Sequence, residues 1–214
     1  MSRPRKSEVK DTNISSKLLG ANVSDINIEK FRDLSQVRKD RYDLGGKITV
    51  PMLKTLANKF SPDVIFTITL PNQAIANIEP LTECSNLMVL NLAQNNIESI
   101  VPLRSLRKLR ILDLSGNCIS NVNALESAAE LVNLHLEGNM LKGLDQIRSL
   151  TDCPALKNLS MQTLAGNNPN PICELKNYRA NVLGECSQLK RLDGTQNLTK
   201  ACQFRLRTFP TAAR

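Results

Sequence analysis

The spacing Leu-x-x-Leu-x-Leu-x-x-Asn returns along the chain at a fixed interval, and no other feature restricts the fold so much. It runs through Leu87, Leu90, Leu92 and Asn95, then Leu109, Leu112, Leu114 and Asn117, then Leu131, Leu134, Leu136 and Asn139, in steps of 22 residues. One step back gives Ile65, Ile68, Leu70 and, in the asparagine slot, Gln73; a longer step of 25 forward gives Leu156, Leu159 and Met161. A second apolar set follows at Ile78, Ile100, Val122 and Leu144. A unit this short cannot bury its own apolar edge, so the pattern specifies a stack whose core closes only between neighbours.

Within each unit the alternating leucines predict a short strand with one face inward, a tight turn at the asparagine, and a looser return that fills the opposite wall. The asparagine amide can satisfy backbone groups that the turn leaves unpaired inside the stack, which an apolar side chain cannot do. Gln73 does this less well, so the first unit is expected to be looser. Cys84, Cys153 and Cys186 each stand three residues before a leucine that opens a unit, in ECSNL, DCPAL and ECSQL. That placement predicts small buried core residues rather than ligands or nucleophiles. Trp is absent and aromatic residues make up 3% of the chain, which fits an aliphatic interior.

Both ends of a stack need covering. Before the first unit, VPMLKTLANKF places Pro51 where helices begin and sets Met52, Leu53, Leu56 and Phe60 near helical spacing, predicting a capping helix over 48–63. About five repeats are expected over 64–169 and a C-terminal cap over 170–198, read as a helix followed by a closing partial repeat. Residues 1–47 form an extension in which Ile26, Ile28, Phe31, Leu34 and Val37 could line one amphipathic helix, and 199–214 read as a basic, disordered tail. The net charge of +8 is uneven. Met1 to Lys47 carries eleven Lys/Arg against seven Asp/Glu, and Gln188 to Arg214 six against one, while the middle is balanced. Basic ends are mostly solvated, and their sharper reading is contact with an acidic surface such as tubulin, or with an RNA–protein complex.

No signal peptide and no membrane span is expected, since no run of about eighteen apolar residues occurs. The six cysteines include no C-x-x-C pair, and one histidine leaves little to complete a metal site. No metal and no cofactor are therefore expected, and a reducing compartment is the default.

The repeat resembles the Sds22-like class of leucine-rich repeats. The ending NPIC…YRANVL…CSQLKRLDG is similar to the cap shared by U2 snRNP protein A-prime, an outer-arm dynein light chain and the acidic nuclear phosphoproteins. The likeness covers about Ile48 to Gly194; no acidic low-complexity tail follows, which separates the chain from the last group. It implies an α/β leucine-rich-repeat solenoid, with a short curved parallel sheet on the concave side, a helical or irregular convex side and helical caps. It also implies a non-catalytic adaptor in a ciliary or microtubule-associated assembly of the cytoplasm, with a nuclear ribonucleoprotein component or a phosphatase regulator as alternatives.

The concave sheet is where such a chain would bind a helix or loop of another protein, because its side chains form a grid on a rigid backbone. The first column reads Phe66, Met88, Arg110, Val132 and Lys157, the second Thr67, Val89, Ile111, Asn133 and Asn158, and the third Thr69, Asn91, Asp113, His135 and Ser160. Phe66, Met88, Val89, Ile111 and Val132 are expected to form an exposed apolar patch, bordered by Asn91, Arg110, Asp113, His135, Glu137 and Lys157; the alternatives are that the N-terminal extension folds over it or that the patch is simply tolerated. Ser115, Asp113 and His135 imitate a hydrolase triad in composition, but an open sheet provides neither an enclosed pocket nor an oxyanion hole. Arg104, Arg107, Lys108 and Arg110 make a basic cluster, read as a solvated convex edge, with contact to an acidic partner or phosphate as the sharper reading.

Overall fold

The structure is a computed structural model, and it describes residues 46–56 and 61–197, all within the compact unit Asp43–Arg214. The amphipathic helix expected around Ile26 to Val37 and the tail over 199–214 lie outside the described residues.

Six three- or two-residue strands stack in chain order. They are β1 (Thr67–Thr69), β2 (Val89–Asn91), β3 (Ile111–Asp113), β4 (Asn133–His135), β5 (Asn158–Ser160) and β6 (Arg191–Leu192), each parallel to the last. β7 (Thr195–Gln196) then reverses and pairs antiparallel with β6. The register aligns Ile68, Leu90, Leu112, Leu134, Leu159 and Leu192 in one row, all buried. That row is the inward face of the period-two pattern, and the other repeat leucines complete one continuous aliphatic core with it.

The return segments are five-residue 3-10 helices, at Glu79–Glu83, Val101–Ser105 and Asn123–Ser127. Pro80 and Pro102 sit in the first turn of the first two, where a missing N–H costs nothing. The fourth return, Leu144–Asp152, is nine residues long, and it absorbs the extra residues of the 25-residue step. After each return, the leucine that opens the next unit donates its N–H to the carbonyl three residues back. Leu87 donates to Cys84, Leu109 to Leu106, Leu131 to Ala128, Leu156 to Cys153 and Leu189 to Cys186. Cys84, Cys153 and Cys186 thus share a structural slot with Leu106 and Ala128, and all five are buried. They are core residues, as the repeat pattern predicts, and burial pushes each of the three thiols up to about 11.

At the N-terminal end, α1 (Val50–Leu56) buries Leu53 in the core, with Pro51 its second residue. Residues 57–60 lie outside the described residues, and Pro62–Val64 is a separate 3-10 turn. Pro62 lacks an N–H and forces Ser61 into extended backbone (φ −130, ψ 139), so no α-helix runs through to residue 63.

The asparagines behave as their chemistry requires. Asn95 Oδ1 accepts from the N–H groups of Gln73 and Ile75, while its Nδ2 donates to the carbonyls of Leu70 and Leu92. Asn117 does the same between Ile97, Leu92 and Leu114, and Asn139 between Ile119, Leu114 and Leu136. Each asparagine therefore ties its own turn to the preceding one. Gln73, one methylene longer, turns its Nε2 to the nearby carbonyls of Pro71 and Asn72 instead.

A further asparagine belongs to this row. Asn170 Nδ2 donates to Leu136 and Met161, and its Oδ1 accepts from the Leu141 N–H. The fifth unit leaves the repeat path after Met161, makes a loop closed by Thr163 and Asn167, and rejoins at Asn168, whose carbonyl accepts from Gly138. That carbonyl takes the place of those of Ser115 and Glu137, which accept from Gln94 and Gly116, although Asn168 itself has positive φ (49) two residues before Asn170, where the other units have it one residue before (Gln94, Gly116 and Gly138, φ 57, 67 and 69).

The C-terminal cap is α2 (Tyr178–Glu185) followed by the β6–β7 hairpin. Asp193 and Gly194 make the hairpin turn with positive φ at both residues, which suits an Asp-Gly pair. The Asp193 carboxylate is the hub of the cap. It accepts from the Met161 N–H at 2.9 Å, from Tyr178 Oη at 3.1 Å and from Arg179 Nη1 at 3.1 Å.

Candidate functional site

The three predicted columns lie on the concave sheet in the expected register: Thr67, Val89, Ile111, Asn133 and Asn158 are aligned, as are Thr69, Asn91, Asp113, His135 and Ser160. Their exposure corrects the sequence-based expectation. Val89 and Ile111 are only 3% exposed and Met88 9%, so they are not an open patch. Phe66, Arg110, Val132, His135 and Lys157 are half-buried, whereas Asn91, Asp113 and Glu137 are buried. Strand alternation tells which face a side chain occupies but not how much of that face stays open, and the register already flanks Val89 with Thr67 and Ile111.

These apolar side chains have a second property. Met88, Val89 and Ile111 are buried, yet none belongs to the contiguous core built by the leucine rows. The fold withdraws them from water on the side of the sheet opposite its own interior.

The polar residues of the face are organised locally. Asn91 Oδ1 accepts from the Ala93 N–H, and one repeat later Asp113 Oδ1 accepts from the Ser115 N–H, an Asx turn used twice at the end of a strand. Asp113 also accepts from Ser115 Oγ at 2.7 Å. The serine hydroxyl is thus committed to the carboxylate, in the place where a hydrolase sets its histidine, and the triad imitation has the wrong order. His135 Nδ1 lies 3.4 Å from Glu137 Oε1, and the amide of Asn158 donates to Asn133 Oδ1. Thr67 Oγ1 is buried with no hydrogen-bond partner among the described residues.

The basic cluster is partly neutralised across the stack. Arg104 pairs at 2.9 Å with Glu126 of the next unit, Arg110 at 3.1 Å with Glu130 at the end of its own unit, and Lys108 donates to Asn86 in the unit before. Exposed pairs of this kind are worth about 0–1 kcal/mol each and set no ligand site. Among the described residues no group of three or more His, Cys, Asp or Glu could hold a metal ion, and no helix is long and apolar enough to cross a membrane.

Sequence reasoning missed three residues. Asn170 was assigned to the cap although it completes the asparagine row, because it follows Met161 by nine residues where the other units use three. The signal was present in the Asn-x-Ile/Leu pattern that Asn170 and Ile172 share with Asn95 and Ile97, Asn117 and Ile119, and Asn139 and Leu141. Glu126 and Glu130, the partners of the basic cluster, carried no signal until the units were superposed.

Comparison with known proteins agrees with this geometry. A family model described as Leucine Rich repeats (2 copies) matches residues 85–127. No curated protein matches the chain. Among solved structures, an internalin (inlF) of Listeria monocytogenes is 21% identical with a TM-score of 0.54, covering 71% of this chain and 39% of its own. A second Listeria monocytogenes internalin (inlC2) is 24% identical with a TM-score of 0.50, covering 67% of this chain and 55% of its own. This chain therefore spans between about two fifths and just over half of those internalins. A chain of the Drosophila melanogaster SNF/U2A' complex is 26% identical with a TM-score of 0.55, covering 68% of this chain and 82% of its own. With its stacked parallel strands, asparagine row and repeat match, the chain is an α/β leucine-rich-repeat solenoid.

Proposed function

We propose that this protein is a non-catalytic scaffold that holds another protein against its concave sheet. The observation that carries the reading is the placement of Met88, Val89 and Ile111, apolar and out of water but outside the aliphatic core. Beside them Phe66 and Val132 stay half-buried, and apolar side chains left partly open on the face opposite a protein's own core offer a partner area to bury.

The spacing of the columns favours a helix as the bound element. Neighbouring strands lie about 4.8 Å apart, and one helical turn rises about 5.4 Å, so a helix laid across the strands slips by roughly 0.6 Å per strand. From β1 to β4 the slip reaches only about 2 Å. An extended segment returns a side chain to the same face every ~6.7 Å and would be out of step by about 6 Å over the same span. Phe66 and Val132, the half-buried apolar members of the first column, would then meet turns of such a helix three strands apart.

The test is affinity capture with the full chain against a Val89→Glu/Ile111→Glu variant, with urea unfolding as the folding control. A Phe66→Ser/Val132→Ser variant, changed at half-buried positions, serves if the first pair unfolds. Loss of specific partners from a folded variant supports the reading; retention of every partner by both folded variants refutes it.

Two assemblies compete for the partner. The similarity to a chain of the SNF/U2A' complex supports a nuclear ribonucleoprotein setting and, with the NPIC…LDG cap, the Sds22-like assignment. The ciliary or microtubule setting in the cytoplasm rests on the cap resemblance and on basic ends that lie mostly outside the described residues. Co-purification with RNA and an RNA-binding protein argues for the first, and recovery with tubulin or axonemal fractions for the second. Capture of a phosphatase would favour the regulatory alternative.

A further inference from the structure

We draw no further inference here: the strongest candidate, the cluster of buried Asp113 and Glu137 with half-buried His135 beside the Val89 and Ile111 strip on the concave sheet, belongs to the face already assigned to a partner, and nothing among the described residues shows what covers it.

Discussion

Replacing Asn117 by alanine tests whether the asparagine row holds the stack together. Asn117 is 3% exposed, and its Oδ1 accepts from the Ile97 N–H at 3.1 Å while its Nδ2 donates to Leu92 O at 3.0 Å and Leu114 O at 2.9 Å. The two carbonyls each keep a second amide, from Asn95 at 2.8 Å and Asn139 at 2.9 Å. The donor at Ile97 has no such reserve. Stranding one buried N–H costs about 1–3 kcal/mol, and each shared amide bond lost adds about 0.5 kcal/mol at the low end of the usual range. The sum is about 3 kcal/mol, a large part of the ~5–15 kcal/mol that holds a typical domain.

Gln73→Ala is the matched control, because only the Gln73 side chain is removed and its bonds run to the nearby Pro71 and Asn72 carbonyls. The backbone N–H of Gln73 stays on Asn95 Oδ1. Its expected cost is within about 0.5 kcal/mol. Urea unfolding followed by far-ultraviolet circular dichroism reads the difference. With a slope near 2 kcal/mol per molar, Asn117→Ala should lower the midpoint by about 1.5 M and leave the slope unchanged, while Gln73→Ala barely moves it. Asn117→Asp should be no better than alanine, since it keeps the acceptor but sets a carboxylate against two carbonyls. If Asn117→Ala falls within about 1 kcal/mol of Gln73→Ala, the row does not do what the hydrogen bonds imply.

Three further outcomes are expected. Asp193→Ala removes the hub shared by Met161, Tyr178 and Arg179, and should cost about 3 kcal/mol in the same assay; a change under 1 kcal/mol would mean that the cap docks without it. Thiol-labelling of the native chain should reach exposed Cys118 and leave buried Cys84, Cys153 and Cys186 unmodified until denaturant is added. Those three thiols, pushed from 9.0 to about 11 by burial, keep their protons in the folded state at a pH where the unfolded chain has lost them. Stability should therefore be unaffected by them below pH 9 and fall as pH rises from 9 towards 11, with Cys84→Ala giving a shallower fall in melting temperature over that window.

The stack was legible because its physics is periodic. Leu90, Leu112 and Leu134 must face one way to be buried, and a strand of period two with a fixed step is the only arrangement that does so in every unit. The cysteine slots were legible for the same reason. Asn170 was obscured because the excursion after Met161 changes the sequence distance while leaving the spatial one intact, and the hydrogen-bond row is sensitive only to the latter. Exposure was harder still. Val89 and Ile111 were placed on the correct face by alternation, but burial depends on everything near them in space, which a one-dimensional pattern does not contain. The pairing of Arg104 with Glu126 likewise needs the lateral offset between units, not the order of residues within one.

The reversed strand β7 also bears on self-association. Parallel stacking has no intrinsic stopping point, because every added unit offers the next the same row of backbone donors and acceptors. By turning back at Asp193 and Gly194, the chain lays an antiparallel, two-residue strip along β6 where another copy's first unit would otherwise attach. Too short to seed a ladder and opposite in direction to the growing sheet, that strip blunts the terminal edge and works against head-to-tail filaments.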